Sequence, residues 1–446
     1  MTVSNYGRDF FLGFMYNSDR DTTRIQLIIA GEDTSLVRFG VETSTGVVYS
    51  GTTSITNPVA INLPTTLTAT NSRFDRNKGV HVYTSGHGAV SVVAVNYIPG
   101  SVGEYLAYPC LDIGGGPYEY FAVSAGTMPS ISAPESEILL VGCKDATSVT
   151  IFPTQSVNLP IDAQRLLSAT FVVAPGSSHT VTLNQMQTLF FKATDDLTGT
   201  RIVSNKPLTV ISGHECANVP ANQAYCEHIT EHILPTTTWG KRFLLVPFGG
   251  RNVGQYYKVV ASMDETSFTL TCNATSNTLF LSMAGRFQQF FTTSDSFCSL
   301  VSDKPVLVSQ LAIGGMVDRI GDPAISIVPP VNQYRNYYSF SSMNNSDFDI
   351  HQISVSVPSE YFQPISIRLD GLPISAPWNA INNSEGTIVG YGCHVSVSGG
   401  SVHTVRHDEG RAKLAVMVYG FNSSLSSGYC YLAGLSFIPG LSGTVL

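Results

Sequence analysis

Three short signals recur in the same order along this chain, so its fold must be built from repeats. The first is an aromatic opening strand: Gly7-Arg-Asp-Phe-Phe, Tyr118-Glu-Tyr-Phe, Trp239-Gly-Lys-Arg-Phe and Tyr337-Tyr-Ser-Phe. The second is a strand, turn and strand around Thr-Ser. It reads Ala30-Gly-Glu-Asp-Thr-Ser, Cys143-Lys-Asp-Ala-Thr-Ser and Ser262-Met-Asp-Glu-Thr-Ser. The third is a closing hairpin: Gly79-Val-His-Val-Tyr, Ser204-Asn-Lys-Pro, Ser302-Asp-Lys-Pro and Val402-His-Thr-Val-Arg. Each leads into an apolar strand: Ser91-Val-Val-Ala-Val, Leu208-Thr-Val-Ile, Val306-Leu-Val-Ser and Leu414-Ala-Val-Met-Val. The signals divide the chain into four units, 1–110, 111–235, 236–330 and 331–446. In the last the second signal is hard to place.

Within each unit the period is two. Val37, Phe39 and Val41 alternate with Arg38, Gly40 and Glu42, the pattern of a half-buried strand. Short strands separated by Gly, Ser, Asn and Pro turns predict an all-β chain of tandem, packed β-sandwich-like repeats. A four-bladed β-propeller is the alternative, although the units are long for four-stranded blades. Proline in the Lys-Pro turns fixes φ and cannot donate to a ladder, so it belongs where a strand begins. Asn205 and Asp303 suit the turn because their side chains bond nearby main chain. One short helix is expected near 224–233.

The chain has 446 residues and a net charge of −8, with no basic block. Nucleic acid and polybasic membrane-surface binding are therefore not expected. No apolar run approaches the roughly 18 residues of a spanning helix. The first residues lack a signal-type apolar run, and an N-terminal signal and a C-terminal continuation are expected beyond the chain given. The eight cysteines are Cys110, Cys143, Cys216, Cys226, Cys272, Cys298, Cys393 and Cys430, with no Cys-x-x-Cys spacing. Following the repeats, the expected bonds are Cys216–Cys226, Cys272–Cys298, Cys393–Cys430 and Cys110–Cys143; eight buried thiols are the alternative. Asn273, Asn344, Asn382 and Asn422 each open a glycosylation sequon. Cysteines and sequons together predict a secreted protein.

The sharpest sign of catalysis is His228-Ile-Thr-Glu231-His232. On a helix the two imidazoles would share one face and bind zinc, with Glu231 as base. Pro235 leaves little helix for this, so a surface turn is the expected reading. His214-Glu215 adds little. Ile113-Gly-Gly-Gly lacks the Lys-Ser/Thr of a phosphate loop. Asn17–Asp21 and Asn345–Asp349 space oxygens as calcium loops do, but lack the glycine and distal glutamate. No cofactor is expected. Trp239 should pack under its strand, and Trp378, after Pro377, has the better prospect of exposure.

Ser212-Gly-His-Glu-Cys-Ala-Asn-Val-Pro, Cys226-Glu-His and Leu234-Pro-Thr-Thr-Thr-Trp-Gly-Lys-Arg-Phe resemble the N-terminal domain family of the IgG Fc-binding protein. Gly7-Arg-Asp-Phe and Ser204-Asn-Lys-Pro match the same family. The resemblance implies a Cys216–Cys226 bond and an extracellular, non-catalytic binding or gel-forming module. Its expected partners are extracellular glycoproteins or its own copies. A specific immune-type recognition module is the alternative, and a zinc hydrolase at 228–232 the second alternative.

Overall fold

The alternation in the sequence becomes strands with one face inward. Arg24–Gly31 is half-exposed and buried by turns along its whole length, as is Thr147–Phe152. A computed structural model describes residues 3–17, 23–69, 73–75, 78–110, 112, 115–126, 134–160, 170–223, 225–343, 348–424 and 427–437. Among these the only helices are single 3-10 turns, so the chain is all β. The residues divide into two compact units, 3–237 and 238 onward.

In the unit 3–237 one strand order occurs twice. In the first instance Asp9–Leu12, Val80–Ser85, Val37–Thr43 and Gly46–Thr53 form one sheet, and Ser101–Ala107, Val90–Ile98, Arg24–Gly31 and Val59–Leu63 form another. Counted along the repeat, the orders are first–sixth–third–fourth and eighth–seventh–second–fifth. In the second instance Tyr118–Phe121, Arg201–Ser204, Thr147–Phe152 and His179–Leu183 repeat the first order. Glu227–Ile233, Leu208–Ala217, Ser136–Gly142 and Thr188–Ala193 repeat the second. All these pairings are antiparallel.

The unit from 238 onward carries the same two orders. Its last sandwich sets Tyr337–Ser341, Val402–His407, Ile367–Leu369 and Leu372–Pro373 beside Gly428–Leu432, Ala415–Phe421, Ile350–Pro358 and Ile388–Ser396. The sandwich before it departs in one respect. Cys298–Ala312 is a single strand of 15 residues serving as both sixth and seventh strand. Its pairing with Thr266–Cys272 ends at Ser302, and its pairing with Gln255–Ala261 begins at Val306. The hairpin turn expected at Asp303-Lys304-Pro305 is therefore a bend inside one strand. Proline fits there because the gap asks for no ladder donor. No closed propeller is formed among the described residues.

The sequence signals meet in space. Lys206 Nζ donates to the Asp145 carbonyl at 2.6 Å, and Lys304 Nζ to the Asp264 carbonyl at 2.7 Å. Asn205 Oδ1 accepts from the Ser148 N–H at 2.9 Å, and Asp303 Oδ1 from the Ser267 N–H at 2.8 Å. Asp145 and Asp264 carboxylates accept from Gln185 and Ala284 N–H groups in the next loop. Three loops at one end of the second and third sandwiches are thus tied by the same atoms. That is why Asp, Thr-Ser and Lys-Pro recur.

Each unit has a shared core. In 3–237 it joins Phe10, Phe14 and Leu27 to Leu139, Val141, Phe190 and Ile211. From 238 onward it joins Phe243, Tyr257 and Leu300 to Tyr419, Phe421 and Cys430. Three expected disulfides are present: Cys110–Cys143, Cys216–Cys226 and Cys272–Cys298, with Cα separations of 6.2, 4.9 and 4.4 Å. The expected Cys393–Cys430 bond is not. Both are buried thiols on one five-stranded sheet, with two strands between theirs. At about 4.8 Å per strand they lie about 14 Å apart, beyond the reach of a disulfide. Burial pushes the Cys393 thiol up to about 12.

Candidate binding loop

The segment expected to hold a short helix is a strand, Glu227–Ile233, paired with Leu208–Ala217. The correction has a physical cause. Every residue of both strands is buried, so packing on two sides decides the backbone, not the spacing of the histidines. Four strand residues span about 13 Å, so His228 and His232 cannot share one ion, and Glu231 points to the opposite face. Among the described residues no three His, Cys, Asp or Glu side chains are arranged to hold a metal.

These polar groups instead fasten the hairpin from within. Glu227 Oε1 accepts from the Val102 N–H at 2.7 Å. His232 Nδ1 accepts from the Tyr108 N–H at 3.1 Å. His228 Nδ1 lies 3.0 Å from the His214 carbonyl, and His214 Nδ1 accepts from the Cys216 N–H at 3.0 Å. Burial lowers His228 to about 4 and His232 to about 3, so both rings are neutral at physiological pH.

That burial makes stability depend on pH. The unfolded imidazole takes a proton near 6.5 and the folded His232 ring only near 3, so acid favours the unfolded chain. Between pH 7 and pH 5 the native state should lose about 2 kcal/mol through His232. A glutamine keeps an acceptor for Tyr108 and does not titrate. The stability gap between wild type and His232→Gln should therefore narrow by about 2 kcal/mol from pH 7 to pH 5, read from urea midpoints.

Beyond the buried ladder the chain emerges as a loop. The Cys216–Cys226 bond closes its neck, and Asn218 Nδ2 donates to the carbonyls of Gln223 and Tyr225 at 2.8 and 2.9 Å. Ala221 and Asn222 are exposed at the tip. Tyr225 is 47% exposed and held at φ 68°, a conformation bulky residues rarely adopt. Such strain persists only where the surroundings over-determine it.

Under the neck lies a charged base. Lys192 Nζ is 2.6 Å from Glu135 and 3.9 Å from Glu215, and the Glu215 N–H donates to the Glu135 carbonyl at 2.9 Å. Glu137 lies beneath, fully buried, with neither carboxyl oxygen hydrogen-bonded. Burial, then the nearby Glu215, raises its pKa well above the usual range. Tyr225, Asn218, Lys192 and Glu137 were not legible as site residues. The one available signal was Glu137 standing directly before the apolar run Ile138–Val141.

The other sequence candidates are scattered. Asn273 is exposed at a hairpin tip. Asn382 ends a strand, and Asn422 is only 8% exposed, its Oδ1 accepting from the Ser424 N–H at 2.7 Å. Asn344 lies outside the described residues, as do most of the two calcium-type segments. Trp239 is buried, and Trp378 is half-buried, edge-on to Phe362.

Fold and loop together define a tandem β-sandwich protein that presents clamped loops from oxidised strand ends. The chain belongs to the IgGFc-binding family: the family described as IgGFc binding protein matches residues 103–420. A human relative, the IgGFc-binding protein of Homo sapiens, is 24% identical over 342 residues. The match takes in 76% of this chain and only 6% of that relative's length. Two solved structures align weakly. Native E. coli alpha-2-macroglobulin has a TM-score of 0.12 at 9% identity, covering 96% of this chain and 39% of that one. The viral chemokine binding protein R17 of rodent gammaherpesvirus Peru has a TM-score of 0.15 at 8% identity, covering 76% and 89%. Neither bears on the fold or the role.

Proposed function

We propose that the chain is a non-catalytic, extracellular binding module that contacts protein partners through the loop 216–226. Its units 1–110, 111–235, 236–330 and 331–446 act as four copies of one scaffold. The observation that carries the reading is the loop itself: closed by a disulfide, braced by Asn218, and carrying beside its neck a half-exposed tyrosine in a strained backbone. A rigid aromatic anchor gives contact area at small cost in conformational freedom. The human relative's name points to immunoglobulin Fc as the first partner to try, ahead of mucin-type glycoproteins and the chain's own copies.

Surface plasmon resonance against each of these, with wild type and Tyr225→Ala, tests the reading. The variant should lose about tenfold or more in affinity, with stability within about 0.5 kcal/mol of wild type. Unchanged binding to a partner that wild type holds would refute the loop's role. Access to the sequons has its own test. After expression through a secretory host, peptide mapping should find glycan on the exposed Asn273 and none on Asn422, which is only 8% exposed.

A further inference from the structure

The loop joining the last two strands of the third sandwich holds the position that the disulfide loop holds in the second. No disulfide closes it; Arg251 does. Its Nε and Nη2 donate to the two oxygens of Asp318 at 3.0 and 2.7 Å, and its Nη1 donates to the Ile313 carbonyl. The guanidinium carbon lies 4.9 Å from the centre of the Phe421 ring. Asp318 Oδ1 also accepts from the Ile320 N–H at 3.1 Å, and the Gly321 N–H donates to the Asn422 carbonyl at 2.6 Å. The segment so held turns Met316 and Val317 outward, 46% and 57% exposed.

Behind it Asp322 is buried, and its Oδ1 has no hydrogen-bond partner. Burial raises this carboxyl to about 7, against smaller opposing effects of the Gly315 backbone and the Arg251 charge. One guanidinium therefore faces two carboxyl groups and grips only one in bidentate fashion. The other charged group on the segment is Arg319, which is exposed. Phe421, Asn422 and Gly428 pack against the segment from neighbouring strand ends, and none of them titrates. Asp349, with His351 acting on it, is held by the Ser423 N–H at 2.7 Å.

We propose that Asp322 is a proton-controlled latch for segment 313–322. Protonated, it leaves Arg251 to Asp318 and the segment stays closed. Ionised, it draws the segment open to reach water. The closed form keeps a proton that the open, hydrated carboxyl releases near 3.8, so opening becomes about tenfold more frequent per pH unit up to about 7. This holds whether or not loop 216–226 binds a partner.

Hydrogen exchange of the intact chain tests it, with rates corrected for intrinsic base catalysis and referenced to the strand Gln255–Ala261. From pH 5 to pH 7 the protection of amides 313–322 should fall about 50-fold in wild type and stay level in Asp322→Asn. Level protection in wild type overturns the latch, and so does an equal fall in the variant. If Asp322→Asn does not fold, carbon NMR of the wild-type carboxyl decides: titration near 7 supports the latch and titration near 4 overturns it.

Discussion

Gly213→Ala should cost about 4 kcal/mol or more, and in a marginal host background the unit 3–237 should not fold. Gly213 lies on Leu208–Ala217 opposite Thr230, and an added Cβ would overlap the Ile229 carbonyl oxygen. Every atom it would meet most closely belongs to backbone, so no side chain can rotate away. The two strands must part, and with them the neck of the loop. Urea unfolding measures the loss. Gly410→Ala is the control: its added methyl group meets nothing, and the change should stay within about 0.5 kcal/mol. Equal stability of the two variants would mean that the strands are not packed this closely.

Glu227→Ala should cost about 3 kcal/mol, and Glu227→Gln about half of that. The Glu227 carboxylate takes the N–H of Val102 at 2.7 Å in a region without solvent. Alanine orphans that donor. Glutamine returns an oxygen acceptor in a different side-chain group. The His228 N–H is shared between Glu227 and the Ser101 hydroxyl, so it keeps one acceptor in either variant. Urea midpoints should rank wild type above Glu227→Gln above Glu227→Ala. Indistinguishable midpoints for the two variants would mean that Val102 finds another acceptor.

Much of the fold could be read because one physical plan was written several times. Asp145 and Asp264, Thr147 and Thr266, and Lys206 and Lys304 recur because equivalent loops need the same hydrogen bonds. The order of the signals was visible; that they touch was not, because neither motif contains the other. The strand Glu227–Ile233 was misread for a definite reason. His228 and His232 stand at helical spacing, while a strand buried on both faces loses the polar alternation that would mark it. Ile229, Thr230 and Ile233 carried the strand preference, and bonded cysteines at each end of the loop implied a hairpin. Cys393 and Cys430 were paired by following the repeats, and the order of the repeats cannot show that two strands stand between them. Tyr225 and Glu137 have no motif at all. Their roles arise from backbone conformation and burial, which only the assembled chain defines.

The strand Cys298–Ala312 has one more consequence. At about 3.3 Å per residue it runs about 50 Å without a break, and both sheets of its sandwich hang from it. Tension on the chain cannot peel one sheet off while leaving the other anchored, because the two share a single beam. When the chain is pulled from its two ends, the third sandwich should be the last to yield.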